Sequence, residues 1–516
     1  MTKTQRTGVW HGVLAICITA GFAAAAAPGV RAQAATEKPA KVGSAAVESA
    51  NVEALLVSDI HFEPFWDPAK TAKLMAAPAS AWNAILAEPA SADQAARFAE
   101  LQTTCKARGA DTSYALYRSS LTAIHEDAKD AKFVVLSGDL IAHNFSCKFG
   151  ATFPKATPGE YRTFVEKTIE YVMRELRATL PGVPVYAALG NNDSDCGDYE
   201  LDANGAFLAE IGRIFSADFP AKERADALRD FSAGGYYNVR LPAPMEHTRM
   251  LVLDDLFMSR QYATCGGKAD AAPAAAQIAW LTEQLDAARR DHEKVWVMSH
   301  IPPGVNPYAT ATKVLDMCAG GKPTMFLNSE ALPEAMASYG DVIELAIFAH
   351  THMDEMRLLK PAVGDPKDGV AIKMVGSISP VNGNNPSFTV AEVDAATAQL
   401  KDYRVFVASN QTGPDASANS NAGTQWTEEY DFAKTYKEPA FTAATVADLV
   451  AGFKADPTAQ SSASQSYIRN YGSGAGGARA IGAFWQPYTC ALRNDGADAF
   501  RSCVCQGGQL PAANSQ

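Results

Sequence analysis

Residues 133–140 read Phe-Val-Val-Leu-Ser-Gly-Asp-Leu: four apolar residues, two small ones, then the carboxylate of Asp139. A short apolar run closed by small residues reads as a buried parallel strand. The pattern returns in LLVSDIH (55–61), VYAALGNN (185–192), VWVMSH (295–300) and LAIFAHTH (345–352). These runs deliver Asp59 and His61, Asn191, His300, and the pair His350 and His352. Open α/β sheets collect their sites beyond the carboxyl ends of strands. The five strand ends are therefore expected to bring these side chains to one place.

Between the strand runs lie helical ones. Residues 161–180 and 274–290 are the clearest, the second carrying Ile278, Leu281 and Leu285 at helical spacing. Asp59 and His61 point the same way from an extended segment, as alternate residues do, and His350 and His352 repeat that arrangement. Two divalent metals about 3.5–4 Å apart activate a hydroxide and clamp phosphoryl oxygens during in-line displacement. Such a pair needs one carboxylate that touches both ions, for which Asp139 is the natural candidate. Neutral imidazoles and a carboxamide complete the shells without excess negative charge.

Taken together, the motifs resemble the calcineurin-like metallophosphoesterases, whose pattern runs D-x-H, G-D, G-N-H, H and G-H-x-H. The resemblance covers about residues 52–393. It implies an α/β protein, an α+β four-layer sandwich of two mixed sheets flanked by helices. It also implies two divalent metal ions, with Asp59, His61, Asp139 and His352 on one and Asp139, Asn191, His300 and His350 on the other. Imidazole-rich shells with carboxylate and carboxamide suit zinc, manganese or iron, and the family resemblance with an oxidising compartment favours zinc. The implied reaction is hydrolysis of phosphodiester or phosphoanhydride bonds by a hydroxide held between the ions.

The chain departs from that pattern twice. Ala349 replaces the Gly before the last His pair, and Asn192 replaces the His of G-N-H. That His is the residue usually assigned to orient phosphate and protonate the leaving group. Asn192 can bind substrate through a hydrogen bond but cannot deliver a proton. His143, in SGDLIAHN, is the candidate general acid. It resembles the His of the G-D-x-x-x-H segment of acid sphingomyelinases and their relatives. The H-I-P-P-G turn at 300–304 and HTHMDE at 350–355 are similar to the same branch.

That branch implies a phosphodiesterase acting on small soluble phosphoesters such as nucleotides. No Cys-rich lipid-handling domain precedes residue 52, although sphingomyelin remains an alternative substrate. GNND also resembles endopolyphosphatases, whose anhydride leaving group needs less protonation. A catalytically inactive, metal-bound binding module is the reading of a different class, and its one support is Asn192.

The remaining chain supplies context. Of 516 residues 47% are hydrophobic and 20% charged, enough for a large core. The net charge of −12 disfavours a nucleic-acid duplex or an anionic membrane as partner. Residues 1–34 read as a cleavable signal peptide, with Lys3 and Arg6, an apolar stretch and Ala32-Gln33-Ala34. The apolar stretch falls short of the about 20 residues a span requires, so no stable membrane insertion is expected and the protein is read as periplasmic or secreted. Beyond Cys17 the cysteines number eight, an even set that in an exported chain implies disulfides of undetermined pairing. Residues 35–51 read as a flexible lead-in, 52–407 as the catalytic domain and 408–423 as a linker. Residues 424–516 read as a small helical, disulfide-stapled C-terminal subdomain, with helices expected over 424–451. Nothing in the sequence speaks to oligomeric state.

Overall fold

The computed structural model describes residues 51–311, 313–409, 424–475, 481–482 and 484–506. The expected signal peptide, nearly all of the lead-in and residues 410–423 of the expected linker lie outside the described residues. Strands β1 (Asn51–Val57), β2 (Ala131–Leu136) and β3 (Val185–Ala187) pair in parallel and start the first sheet. The chain then builds the second sheet from β4 (Tyr237–Arg240), β5 (Thr248–Val252), β6 (Lys294–Met298), β7 (Ile343–Phe348), β8 (Glu355–Leu359) and β9 (Val370–Met374). It returns to the first sheet with β10 (Ser387–Asp394), β11 (Leu400–Val407) and β12 (Thr427–Asp431).

The orders are β12-β11-β10-β1-β2-β3 and β4-β5-β6-β7-β9-β8: the first sheet is antiparallel from β12 to β1 and parallel from β1 to β3, and the second has a parallel centre with antiparallel edges. The five expected strand runs are β1, β2, β3, β6 and β7. Nearly every residue in them is buried, as strands covered on both faces must be. The sheets face one another across a shared core. Phe133 of β2 meets Trp296 of β6 with ring centres 5.7 Å apart, and the Trp296 indole N–H donates to the Ala398 carbonyl at 2.9 Å.

Helices cover the outer faces. Pro158–Thr179 contains the expected helix and starts cleanly: Pro158 opens it, and Thr157 and Glu160 form a reciprocal capping box. Its Val172 carbonyl accepts from Tyr117 of the helix Tyr114–Asp127 at 2.8 Å. On the second sheet, Ala272–Asp291 buries Leu281 and Leu285 against the same cluster as Leu332 and Met336 of the helix Ala331–Ala337.

One element differs from the sequence reading. Residues 427–431, expected to be helical, form the edge strand β12 and pair with β11. The tertiary ladder overrides the weak local preference of TEEYD. Helices begin after it, at Phe432–Tyr436 and Ala443–Ala455. Farther along lies the helix Ser462–Asn470, capped by the Ser461 hydroxyl.

The eight cysteines form four disulfides: Cys105–Cys147, Cys196–Cys265, Cys318–Cys505 and Cys490–Cys503. The C-terminal segment covers β8, whose exposed edge would otherwise invite pairing with another chain. The Tyr471 and Leu492 carbonyls accept from the amides of Asp354 and Leu358 at 2.9 and 2.8 Å. Asp354 pairs with buried Lys373 and accepts from Tyr430 at 2.6 Å, while Glu355 accepts from Tyr488 at 2.8 Å. Among the described residues no helix is long and apolar enough to cross a membrane.

Asp354→Ala would strand the Lys373 ammonium in the core. Losing one member of a buried ion pair costs about 3–5 kcal/mol. Denaturant titration should show a loss of that size, and a loss below about 1 kcal/mol would contradict this account of the docking.

Candidate metal centre

Each side chain singled out in the sequence follows its strand closely. Asp59 lies two residues beyond β1, Asp139 three beyond β2, Asn191 four beyond β3, His300 two beyond β6 and His350 two beyond β7. Backbone bonds stitch these turns together. Asp59 N–H donates to Gly138 O at 3.0 Å, His61 N–H to Asp139 O at 2.9 Å, and Ala349 N–H to His300 O at 2.9 Å.

Five of the seven residues adopt left-handed backbone: Asp59 (φ 46°), His61 (45°), Asp139 (56°), His350 (70°) and His352 (67°). Such conformations persist only where the surroundings over-determine them, and they cluster at functional sites. Ala349 is not among them, so a methyl in place of the family's Gly meets no backbone penalty there. Two glycines allow the close approach. Gly138 has φ 94°, and a Cβ on Gly190 would run into the carboxylate and amide of Asp139.

The donors converge. His61 Nε2 lies 3.2 Å from His352 Nε2, 3.4 Å from Asp139 Oδ2 and 3.7 Å from Asp59 Oδ1. His352 Nε2 lies 3.5 Å from Asp59 Oδ1, and His300 Nε2 lies 3.2 Å from Asp139 Oδ2. Asp139 Oδ2 therefore faces both halves of the cluster. Ligand atoms of Asp59, His61 and Asp139, and of Asp139, His300 and His350, lie within 4.8 Å of one another.

This set fits two cations. Both oxygens of Asp59, Asn191 Oδ1, His300 Nε2 and His352 Nδ1 are buried without a hydrogen-bond partner, a costly state for polar atoms that no ion compensates. Meanwhile the atoms that should face away are tied down. His61 Nδ1 meets Ile141 O at 2.9 Å and His300 Nδ1 meets Ser137 O at 2.8 Å, which leaves each Nε2 free for a metal. The Asn191 amide donates to Asp198 at 2.7 Å and so turns its oxygen inward.

Burial disfavours a proton on His61 and His300, yet the Asp139 and Asp59 carboxylates pull them up to about 9 and about 10. Asp139 is held well below the usual carboxylate range despite burial, chiefly by His300. Burial, with neighbouring positive charge, pushes His350 and His352 down to about 3. Neutral imidazole is the form that binds metal.

Three supporting acids escaped the sequence reading. Asp193 accepts from the amides of Leu140, Ile141 and Gly190 at 2.8–3.1 Å and locks the turns after β2 and β3 together. Burial and the charge of Asp139 raise it to about 7. Asp198 orients Asn191. Asp111 holds His143, accepting from its backbone N–H at 2.8 Å and bonding its Nδ1 at 2.9 Å. Burial alone would raise Asp111, but His143 keeps it far below the usual range.

His143 stacks on His61 with ring centres 3.9 Å apart and lines a cavity of about 810 Å³ that opens onto the cluster. Asn192 lines the same cavity, but its amide is engaged: the backbone N–H and side-chain Nδ2 both donate to Asp139, each at 2.9 Å.

Residues 54–354 match the family model described as Calcineurin-like phosphoesterase. The chain belongs to the calcineurin-like phosphoesterase family. It is an enzyme of that class, a metal-dependent phosphoric ester hydrolase built around a metal-binding His/Asp cluster. Human acid sphingomyelinase-like phosphodiesterase 3b is 26% identical over 78% of this chain and 82% of its own. A cyclic GMP-AMP phosphodiesterase of Rattus norvegicus is 24% identical over 63% of this chain and 67% of its own. Sphingomyelinase phosphodiesterase C of Dictyostelium discoideum is 24% identical over 57% and 62% respectively.

Gly190→Ala should push Asp139 off its position. Metal content measured by plasma mass spectrometry should fall from about two ions per chain toward none, with the far-UV dichroism unchanged. Full metal content in the variant would contradict the close-approach argument.

Proposed function

We propose that this family member is an exported phosphodiesterase that hydrolyses small, soluble, nucleotide-like phosphodiesters. The observation that carries this reading is the Asp111-braced His143 beside the paired cluster, on the wall of a cavity large enough for such a ligand. Ligand cavities of this kind span roughly 300–1,000 Å³. The similarity to proteins named as phosphodiesterases supports the diester, and the four disulfides support export.

Asp59, His61, Asp139 and His352 would hold one ion, and Asp139, Asn191, His300 and His350 the other, with zinc the favoured metal. When bound, the pair supplies Lewis acidity at the phosphoryl oxygens and a nucleophile at neutral pH. Asp139 serves both halves through one oxygen, and Asn192 keeps that carboxylate from rotating by holding it at two points. The Asp111 carboxylate accepts the His143 Nδ1 proton, which fixes the ring's tautomer and orientation and leaves Nε2 as the atom that exchanges a proton with the departing oxygen. Asn192 has no proton to give and remains a hydrogen-bonding group at the cavity wall.

The test is a panel on the metal-reconstituted protein: bis-p-nitrophenyl phosphate, dinucleotides, ATP, sphingomyelin and polyphosphate. Turnover of the soluble diesters above the others is expected. Two bound ions without turnover of any ester would overturn the enzymatic reading. Asp139→Asn should abolish turnover and lower the affinity of both ions in a metal titration; loss of only one ion would contradict its shared position. His143→Ala should cost about 10²-fold or more with alkyl leaving groups, and much less with p-nitrophenolate, which departs without a proton. Equal losses on both would argue against the acid role.

A further inference from the structure

The cavity in front of the cluster holds two cations that the hydrolytic step does not use. Arg108 lies on the segment between Cys105 and Asp111, and Arg260 follows the short turn Asp255–Met258. Among the described residues neither guanidinium has a hydrogen bond or ion pair to a side chain, and both are exposed to the cavity. Arg97, Arg174, Arg290 and Arg493 likewise have no side-chain partner among the described residues, but none of them lines this cavity. Arg177, Arg240, Arg249, Arg289 and Arg357 each hold a carboxylate. What sets Arg108 and Arg260 apart is that two unpaired guanidiniums line one cavity, in a chain of net charge −12.

The anionic lining offers nothing comparable to a positively charged ligand. Asp139 and Asp198 are the two carboxylates among the described residues that line the cavity, and both are committed, the first to Asn192 and the imidazoles, the second to Asn191. The aromatic residues of the lining, Tyr199, Tyr308 and Phe326, each already meet another ring. Tyr308 packs on Tyr471, and Phe326 meets Arg357 and His350.

The geometry points to Arg108 and Arg260 as an anion clamp that selects substrates carrying a second negative group, such as a phosphate, in addition to the scissile diester. This rests on the phosphodiesterase reading above and sharpens it. Guanidinium presents a planar fork that matches phosphate at two points, and it stays charged at every working pH. A zwitterionic phosphocholine headgroup offers that clamp nothing beyond the phosphate being cut.

The experiment uses one scissile bond with and without the second anion: thymidine 5′-(p-nitrophenyl phosphate) and its 3′-phosphorylated form. The metal-loaded full chain should favour the 3′-phosphorylated ester in kcat/KM by about tenfold or more, the scale of one charge-assisted contact, with the difference in KM. The preference should shrink as salt rises. In Arg108→Gln/Arg260→Gln it should fall toward unity, and Arg108→Lys/Arg260→Lys should recover part of it. Calorimetry of thymidine 3′,5′-bisphosphate against thymidine 5′-monophosphate should follow the same order without requiring turnover. Turnover with no preference, or a preference that survives the Gln pair, overturns the clamp and leaves the phosphodiesterase reading intact. Absence of turnover on both esters overturns the phosphodiesterase reading, and calorimetry then decides the clamp on its own.

Discussion

Two carboxylates, Asp59 and Asp139, sit almost wholly out of water at the meeting point of two sheets, and everything around them answers that fact. An ionised carboxylate in such surroundings is tolerated only when opposite charge and hydrogen bonds compensate it. Four imidazoles, the Asn191 carboxamide and the Asn192 amide supply part of the compensation. The unpartnered oxygens of Asp59 and Asn191 mark where cations complete it. The left-handed backbone at five of these residues adds a cost of about 1–3 kcal/mol each. The surrounding fold must therefore hold them in place.

It does so in widening circles. Gly138 and Gly190 let the turns after β2 and β3 touch, and Asp193 welds those turns through three backbone amides. Asp111 is itself embedded: Ser379 donates to it at 2.9 Å, and the Lys148 ammonium lies 3.9 Å away while pairing with Glu63. His143 is thus positioned by a buried network that reaches back to Glu63, two residues past His61. On the other side, Asp354 and Glu355, two and three residues past His352, bind Tyr430 and Tyr488 of the C-terminal segment. The end of the chain thereby braces the turn that carries the last imidazole.

The convergence of the seven candidate ligands was legible in the sequence because each follows an apolar strand run by a few residues, and parallel sheets bring such ends together. The two mixed sheets were legible through the family resemblance. The supporting acids were harder to read for physical reasons. Asp193 and Asp198 act through backbone amides and a carboxamide, contacts that carry no residue-type signature. Asp111 lies on a loop 32 positions from His143, and no spacing rule links them. The edge strand β12 was misread because TEEYD has no alternating apolar face; its pairing with β11 exists only in the folded sheet.

The position of Asn192 shows how proton delivery and metal binding can separate. A His at that site would offer one ring nitrogen to the cavity and lose the second contact to Asp139. Asn192 does the reverse, donating twice to the Asp139 carboxylate, and the proposed acid lies on the other side of the cluster. His143 lies there on the segment after β2, stacked on His61 and steadied by Asp111. That segment leads into the helix Phe145–Thr152, which Cys147 ties to Cys105, and Arg108 sits three residues beyond that cysteine. The proposed proton donor and one arm of the proposed anion clamp thus share a disulfide-anchored wall that contains none of the residues expected to bind metal. Changes along this wall can alter which leaving group is served and which substrate is held, while the floor that performs the hydrolysis stays the same.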